Sequence, residues 1–178
     1  MHHATMLRAI GERGSATSAE ATTLLSSLTD PADEIREAAA WSLGQLPMLD
    51  VTAPLIAALD DEDHVVRGLA ALALRQRGVG AAPARDALLA KLSDQEVGVR
   101  MMAAQAIGRL KDPSTTDALV AACKVPDQQV HVLRSLADAL GAMGPAAAAA
   151  LPTLRDLTKI PRVEWAAKAA IRRINGQP

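Results

Sequence analysis

The 178-residue sequence predicts an all-α protein built as a solenoid of stacked helix pairs. Three observations carry that expectation. A short motif returns along the chain at near-constant spacing, which marks a repeat architecture. Within each copy the apolar residues recur at helical rather than strand spacing. The composition is 49% apolar with no Phe, no Tyr and only Trp41 and Trp165 as aromatics, the apolar share being mostly Ala, Leu and Val. Alanine is the best intrinsic helix former, and small side chains let helices approach closely. A β-sandwich or barrel would call for β-branched and aromatic residues, in which this chain is poor.

The elements follow in order. The first segment ends Leu7-Arg8-Ala9-Ile10-Gly11 and reads as a partial unit over 4–14, its glycine 33 residues before Gly44. Four segments then superimpose: Asp30 through Arg36 to Gly44, Asp61 through Arg67 to Arg75, Asp94 through Arg100 to Gly108, and Asp127 through Leu133 to Gly141. Their leading aspartates step by 31, 33 and 33 residues. A divergent last copy runs from Val163 to Ile174. Shorter apolar helices lie between: Ala21 to Leu28, Ala53 to Leu59, Ala84 to Leu92, Thr116 to Cys123, and Pro145 to Leu157. Each unit therefore reads as helix A, a tight turn with Asp, helix B, and a loop, at about 18–47, 51–78, 82–111, 114–144 and 145–176, in a single domain over 1–178. Pro54 suits a first helical turn, whereas Pro152, after the alanine run 146–150, is expected to kink its helix.

On helix B one face gathers Ile35, Ala38, Ala39, Ser42, Leu43 and Leu46. The same slots hold Val66, Leu69, Ala70, Ala73 and Leu74, then Val99, Met102, Ala103, Ala106 and Ile107, and finally Val163, Ala166, Ala167, Ala170 and Ile171. These are the expected core. Glu37, Ala40, Trp41 and Gln45 and their equivalents fall opposite, facing solvent or a partner. The Trp41 slot continues as Leu72, Gln105, Asp138 and Ala169, after Arg8; the Glu37 slot continues as Gly68, Met101, Arg134 and Trp165. Large apolar groups collected at non-core positions mark interaction sites, and Trp and Arg are favoured anchors. Trp41, Leu72, Met101, Gln105, Arg134, Asp138 and Trp165 are therefore the expected partner-binding residues. Against this, Trp41 could fold over a neighbouring helix and Trp165 could close the end of the stack.

The recurring Asp, the Arg six residues later, then Ala-Ala and Leu-Gly or Ile-Gly, resembles the HEAT repeat family, most closely its bacterial branch of PBS-lyase type. The resemblance covers about residues 4–176. It implies a right-handed α-α superhelix of about five two-helix repeats with helix B on the concave side. It further implies a ladder in which Asp30, Asp61, Asp94 and Asp127 meet backbone amides and an arginine of an adjacent repeat, Arg36, Arg67 and Arg100 being the bases. The fourth copy departs, with Leu133 in the arginine's place, and the fifth reverses sign with Lys159 and Glu164. Atypical terminal repeats are usual where one side has no neighbour.

Bulk properties narrow the function. With 19 Lys and Arg against 20 Asp and Glu, the net charge of −1 gives no global basic excess of the kind that phosphate neutralisation calls for, so nucleic acid is disfavoured. The lone Cys123 precludes an internal disulfide and suits a reducing compartment. No apolar run approaches a membrane span, and Met1-His2-His3-Ala4 is not followed by a signal-type segment; a cytoplasmic protein is expected. Cys123 occupies a slot held elsewhere by Leu28, Leu59, Leu92 and Leu157, so it reads as a small buried hydrophobe. His64 and His131 lack partners at metal-ligand spacing, and the His-Glu pairs of the related deoxyhypusine hydroxylases are missing. In the acidic run Asp60-Asp61-Glu62-Asp63, a ladder acid and a helix N-cap at Asp63 explain the composition without a cation.

The expected function is thus a non-catalytic protein- or peptide-binding scaffold module, with no catalytic residue, cofactor or metal. The alternatives are a bilin lyase-related subunit, for which no acceptor cysteine or aromatic pocket is evident, and a HEAT-like alkylpurine DNA glycosylase. The latter would draw on Trp41 and Asp138 with Arg8, Arg75, Arg109 and Arg134 as a basic rim.

Overall fold

The computed structural model describes residues 2–46, 49–126 and 128–177, and all regular structure among them is helical. Six longer helices form an inner layer: α1 (His2–Arg13), α3 (Asp33–Gly44), α5 (His64–Arg77), α7 (Val97–Leu110), α9 (Val130–Ala142) and α11 (Glu164–Ile174). Each lies alongside the next, α1 on α3, α3 on α5, and so on to α11. Five shorter helices form the outer layer, each resting on the inner helix that follows it: α2 (Ser18–Ser27), α4 (Thr52–Ala58), α6 (Arg85–Ala90), α8 (Thr116–Cys123) and α10 (Leu151–Leu157). The result is an α-solenoid, with a leucine-rich core between the layers that includes Leu24, Leu43, Leu55, Leu74, Leu88, Ile107, Leu136 and Leu154.

Local chemistry sets the helix starts. Thr17 and Glu20 form a reciprocal capping box on α2. Asp63 caps α5 by accepting from the amides of Val65 and Val66. The outer helices are interrupted by 3₁₀ segments at Gly78–Ala84 and Gly144–Ala150. The second of these corrects the expected single kinked helix from Pro145 to Leu157. The backbone leaves helical geometry at Ala147 (φ −94°, ψ 23°), and α10 starts afresh with Pro152 in its first turn. There a missing N–H forfeits no intrahelical bond, so the proline begins a helix rather than bending one.

A second correction concerns the inner layer. Ala40, placed on the free face with Trp41, is fully buried, and so are its equivalents Ala71, Ala104 and Ala137. An inner helix has neighbours on both flanks as well as an outer helix behind it, so the buried arc is wider than one face. The contact is tightest at the recurring glycines. A Cβ on Gly108 would lie 2.7 Å from the Cα of Ala139, and one on Gly141 2.8 Å from the Cα of Ala170. On α1, α3, α7 and α9 the Leu-Gly or Ile-Gly step is therefore a point of close approach to the next inner helix. α5 breaks the pattern: Arg75 stands in the glycine slot.

The ladder of acids and arginines runs across the repeats. Arg36 donates through Nε and Nη2 to both carboxylate oxygens of Asp61, at 2.9 and 3.0 Å, and Arg67 does the same to Asp94 at the same distances. Each guanidinium also donates through Nη1 to carbonyls of its own turn, those of Asp30 and Pro31 for Arg36 and of Asp61 and Glu62 for Arg67. Asp61 and Asp94 accept in return from the amides of Asp63 and Glu96. Bidentate pairs of this kind fix orientation as well as energy. The third rung differs, since Arg100 donates to Gln128 at 3.2 Å; Asp127 lies outside the described residues, as does Pro47 at the expected end of the first full unit. Lys159 and Glu164 do not pair with each other, and bind Asp156 and Lys168 instead.

Candidate functional site

The expected partner-binding residues all lie on inner helices but divide into three regions. Trp41 on α3 is half-buried, its ring laid against α1 so closely that a Cβ on Gly11 would meet Cζ3 at 2.7 Å. Leu72 on α5 lines a small apolar groove of about 270 Å³ together with His64, Val65, Gly68, Leu69 and Met102. Met101, one residue along α7, is half-buried against the core.

Gln105, Asp138 and Trp165 come together in a larger groove of about 540 Å³ formed by α5, α7, α9 and α11. Trp165, in the first turn of α11, is 67% exposed. Arg134 is exposed one turn before Asp138, outside the groove lining. The same groove holds Arg75, Arg109, Lys111 and Arg173. Among the described residues none of these four cations is in an ion pair, in contrast to Arg36, Arg67, Arg85 and Lys91 elsewhere. Asp138 is solvent-exposed as a residue, yet desolvation by the groove walls raises its carboxyl above the ordinary value, and the charges of Arg173 and Arg134 oppose that rise.

The groove is braced across three helices. Arg75 Nη1 donates to Gln105 Oε1 at 2.5 Å, and Gln105 Nε2 donates to Ser135 Oγ at 3.2 Å. Arg75 reaches this position because it occupies the glycine slot, which points at the next inner helix. Lys111 adopts a left-handed conformation (φ 53°, ψ 35°) as it ends α7, which turns the chain at the groove edge. Periodicity found Gln105, Asp138 and Trp165 because they share two helical slots. Lys111 and Arg173 went unassigned to the site because one sits in a helix-terminal turn and the other reads equally well as a dipole-complementing cation.

The Cys123 thiol is buried and pushed up to about 12 by that burial, which disfavours the reactive thiolate. His64 and His131 are exposed. Among the described residues no three His, Cys, Asp or Glu side chains gather as a metal site.

Stacked helix pairs around one continuous core define an α-solenoid repeat protein. The HEAT repeats profile matches residues 2–75 and 85–175, and the chain belongs to the HEAT repeat family. No curated protein matches the sequence. Among solved structures, the complex of CpcE and CpcF of phycocyanin lyase from Nostoc sp. PCC7120 is similar at 27% identity and a TM-score of 0.79, over 92% of this chain and 67% of that one. A designed armadillo repeat protein in complex with the peptide (KR)4 is similar at 20% identity and a TM-score of 0.70, over 96% and 92%. Human deoxyhypusine hydroxylase matches at 19% identity and a TM-score of 0.57, over 98% and 80%. The last two likenesses show the fold alone.

Proposed function

We propose that this chain is a non-catalytic interaction module that docks a protein or peptide on the concave face of its inner helices. Trp41, Leu72, Met101, Gln105, Arg134, Asp138 and Trp165 belong to that face, Trp41 and Met101 chiefly as its support. The observation that carries the reading is the open groove of α5 to α11, floored by polar groups braced across three helices and flanked by an uncovered tryptophan. Rigid repeats hold such a surface preformed, which lowers the ordering cost of binding. The free, buried thiol accords with a reducing cytoplasm.

Affinity capture from native lysate, with wild type beside Leu72→Glu, Trp165→Ala and the distant control Val79→Ala, tests this reading. A partner retained by wild type and Val79→Ala but lost by the two inner-face variants supports it. A partner retained equally by all four refutes it.

The likeness to the CpcE and CpcF complex favours a second reading, a bilin lyase-related subunit. Bilin absorbance changing on incubation with the protein would support it. An unchanged spectrum at saturating protein would remove it.

A further inference from the structure

We propose that the groove between α5 and α11 takes an acidic peptide segment; this rests on the concave face being the docking surface. The whole chain carries −1, yet four cations and one carboxylate line this single groove. The ladder arginines spend their charge on Asp61 and Asp94, whereas Arg75, Arg109, Lys111 and Arg173 have no ionic partner among the described residues. Such a concentration of unpaired like charge is self-repulsive until an anion enters, so it favours an acidic ligand and speeds its arrival.

The groove is also preorganised. Arg75 is held by Gln105, and Gln105 by Ser135, so the guanidinium is positioned before any ligand binds. It is there at all because arginine replaces the glycine found at Gly11, Gly44, Gly108 and Gly141.

A peptide fits better than a nucleic acid. Duplex binding draws on many phosphates along an extended basic surface, while this groove is about 540 Å³ and contains Asp138. The Asp138 carboxylate repels phosphate and acidic side chains alike, but the amide N–H groups of a peptide can donate to it, whereas a phosphodiester backbone has no donor to offer. Exposed Trp165 offers a flat face to an apolar side chain of the same segment, as aromatic anchors do in protein interfaces.

The test is fluorescence anisotropy with three fluorescein-labelled probes: a decapeptide of Asp and Glu around a central Leu, its Asn and Gln isostere, and a duplex DNA of ten base pairs as the rival. The protein variants are Lys111→Gly, Arg173→Gln, Leu72→Glu and the outer-layer control Arg155→Gln. Lys111→Gly is the most telling, because glycine accepts the left-handed backbone at that position and the fold should survive while one charge is lost. The acidic peptide is expected to bind about tenfold tighter than its isostere, to weaken by about that factor in Lys111→Gly and Arg173→Gln, and to lose affinity with added salt. Arg155→Gln should bind as wild type.

Equal binding of acidic peptide and isostere, equal loss in Arg155→Gln, or tighter binding of DNA through the same cations would each overturn the proposal. So would failure of the acidic peptide to bind at all. If the isostere binds and only Leu72→Glu abolishes it, the concave docking face stands and its acidic preference falls. If neither Leu72→Glu nor the cation variants change any binding, both readings fall.

Discussion

Substituting Gly108 by Ala should destabilise the solenoid although alanine is the better helix former. Two terms oppose each other. In a helix interior Ala is favoured over Gly by about 1 kcal/mol. At this site, however, the new Cβ would lie 2.7 Å from the Cα and 3.0 Å from the Cβ of Ala139. Ordinary carbon contacts are near 3.5–4.0 Å, and neither struck atom can rotate away, since one is backbone and the other a stub fixed to it. α7 and α9 must separate by roughly 1 Å, opening the layer that buries Ala104, Ala106, Ala137 and Ala139. Overpacking of this kind costs about 1–3 kcal/mol. The net expectation is a loss of up to about 2 kcal/mol, each kcal/mol lowering Tm by about 2–4 °C for a domain of this size. Gly68 on α5 supplies the contrast, because nothing lies within 4 Å of its hypothetical Cβ. Gly68→Ala should therefore raise stability by about 0.5–1 kcal/mol. Thermal melts followed by far-UV circular dichroism give both signs in one experiment. A Gly108→Ala protein at least as stable as wild type, or a destabilised Gly68→Ala, would refute the close-approach reasoning.

Other expectations follow from the same contacts. Arg67→Met leaves Asp94 buried with only the Glu96 amide, so urea unfolding should show a loss of about 3 kcal/mol or more; a midpoint within error of wild type would make the pair superficial. Burial pushes Asp94 up, but its hydrogen bonds to Arg67 and the Glu96 amide and the charges of Arg67 and Lys91 outweigh that and hold it below its ordinary value of 3.8. With the folded value depressed, its contribution is present above 3.8 and lost as pH falls through the folded value. Acid melts should accordingly steepen below about pH 4 in wild type and less so in Arg67→Met; parallel curves would count against the linkage. Trp165→Ala should leave stability within about 0.5 kcal/mol, whereas Trp41→Ala, half-buried on Gly11, should lose about 2 kcal/mol, part of the cost of truncating a core tryptophan. Melts of the two side by side would expose an inverted order. Cys123 should resist a thiol-disulfide indicator at pH 8 until the protein unfolds.

The repeat was legible because its signals are local and recur: an aspartate that turns the chain, an arginine six residues later, and apolar residues at helical spacing. The ladder implied by the family resemblance is present at two rungs, Arg36 with Asp61 and Arg67 with Asp94, but which arginine reaches which acid is set by the stacking of the repeats and could not be read from the spacing. What a single helical wheel misreads is lateral packing. Ala40 looked free because the wheel sees one buried face, while an inner helix is covered on three sides. The glycines at 11, 44, 108 and 141 were visible as part of a motif, but only the crossing distances reveal them as the points where inner helices touch. The groove was partly legible. Gln105, Asp138 and Trp165 share slots and so emerge from alignment of the repeats, and Arg75 and Arg109 stood out as basic positions. Lys111 and Arg173 reach the same space from a helix-terminal turn and from another repeat's end, and no periodicity joins them. The outer helices were least legible, since proline and alanine runs permit both a kinked helix and a 3₁₀ segment followed by a new start.

Hydroxyl-radical footprinting of the protein alone and with its captured partner bound tests the docking face most directly. Trp165 on the inner face and Met6 on α1 are both reactive and well exposed, at 67% and 48%. Docking on the concave groove predicts that partner binding shields Trp165 while Met6 keeps its rate of oxidation. Unchanged oxidation of Trp165 in a saturated complex, with protection falling instead on outer-layer residues such as Val79 and Val125, would contradict it.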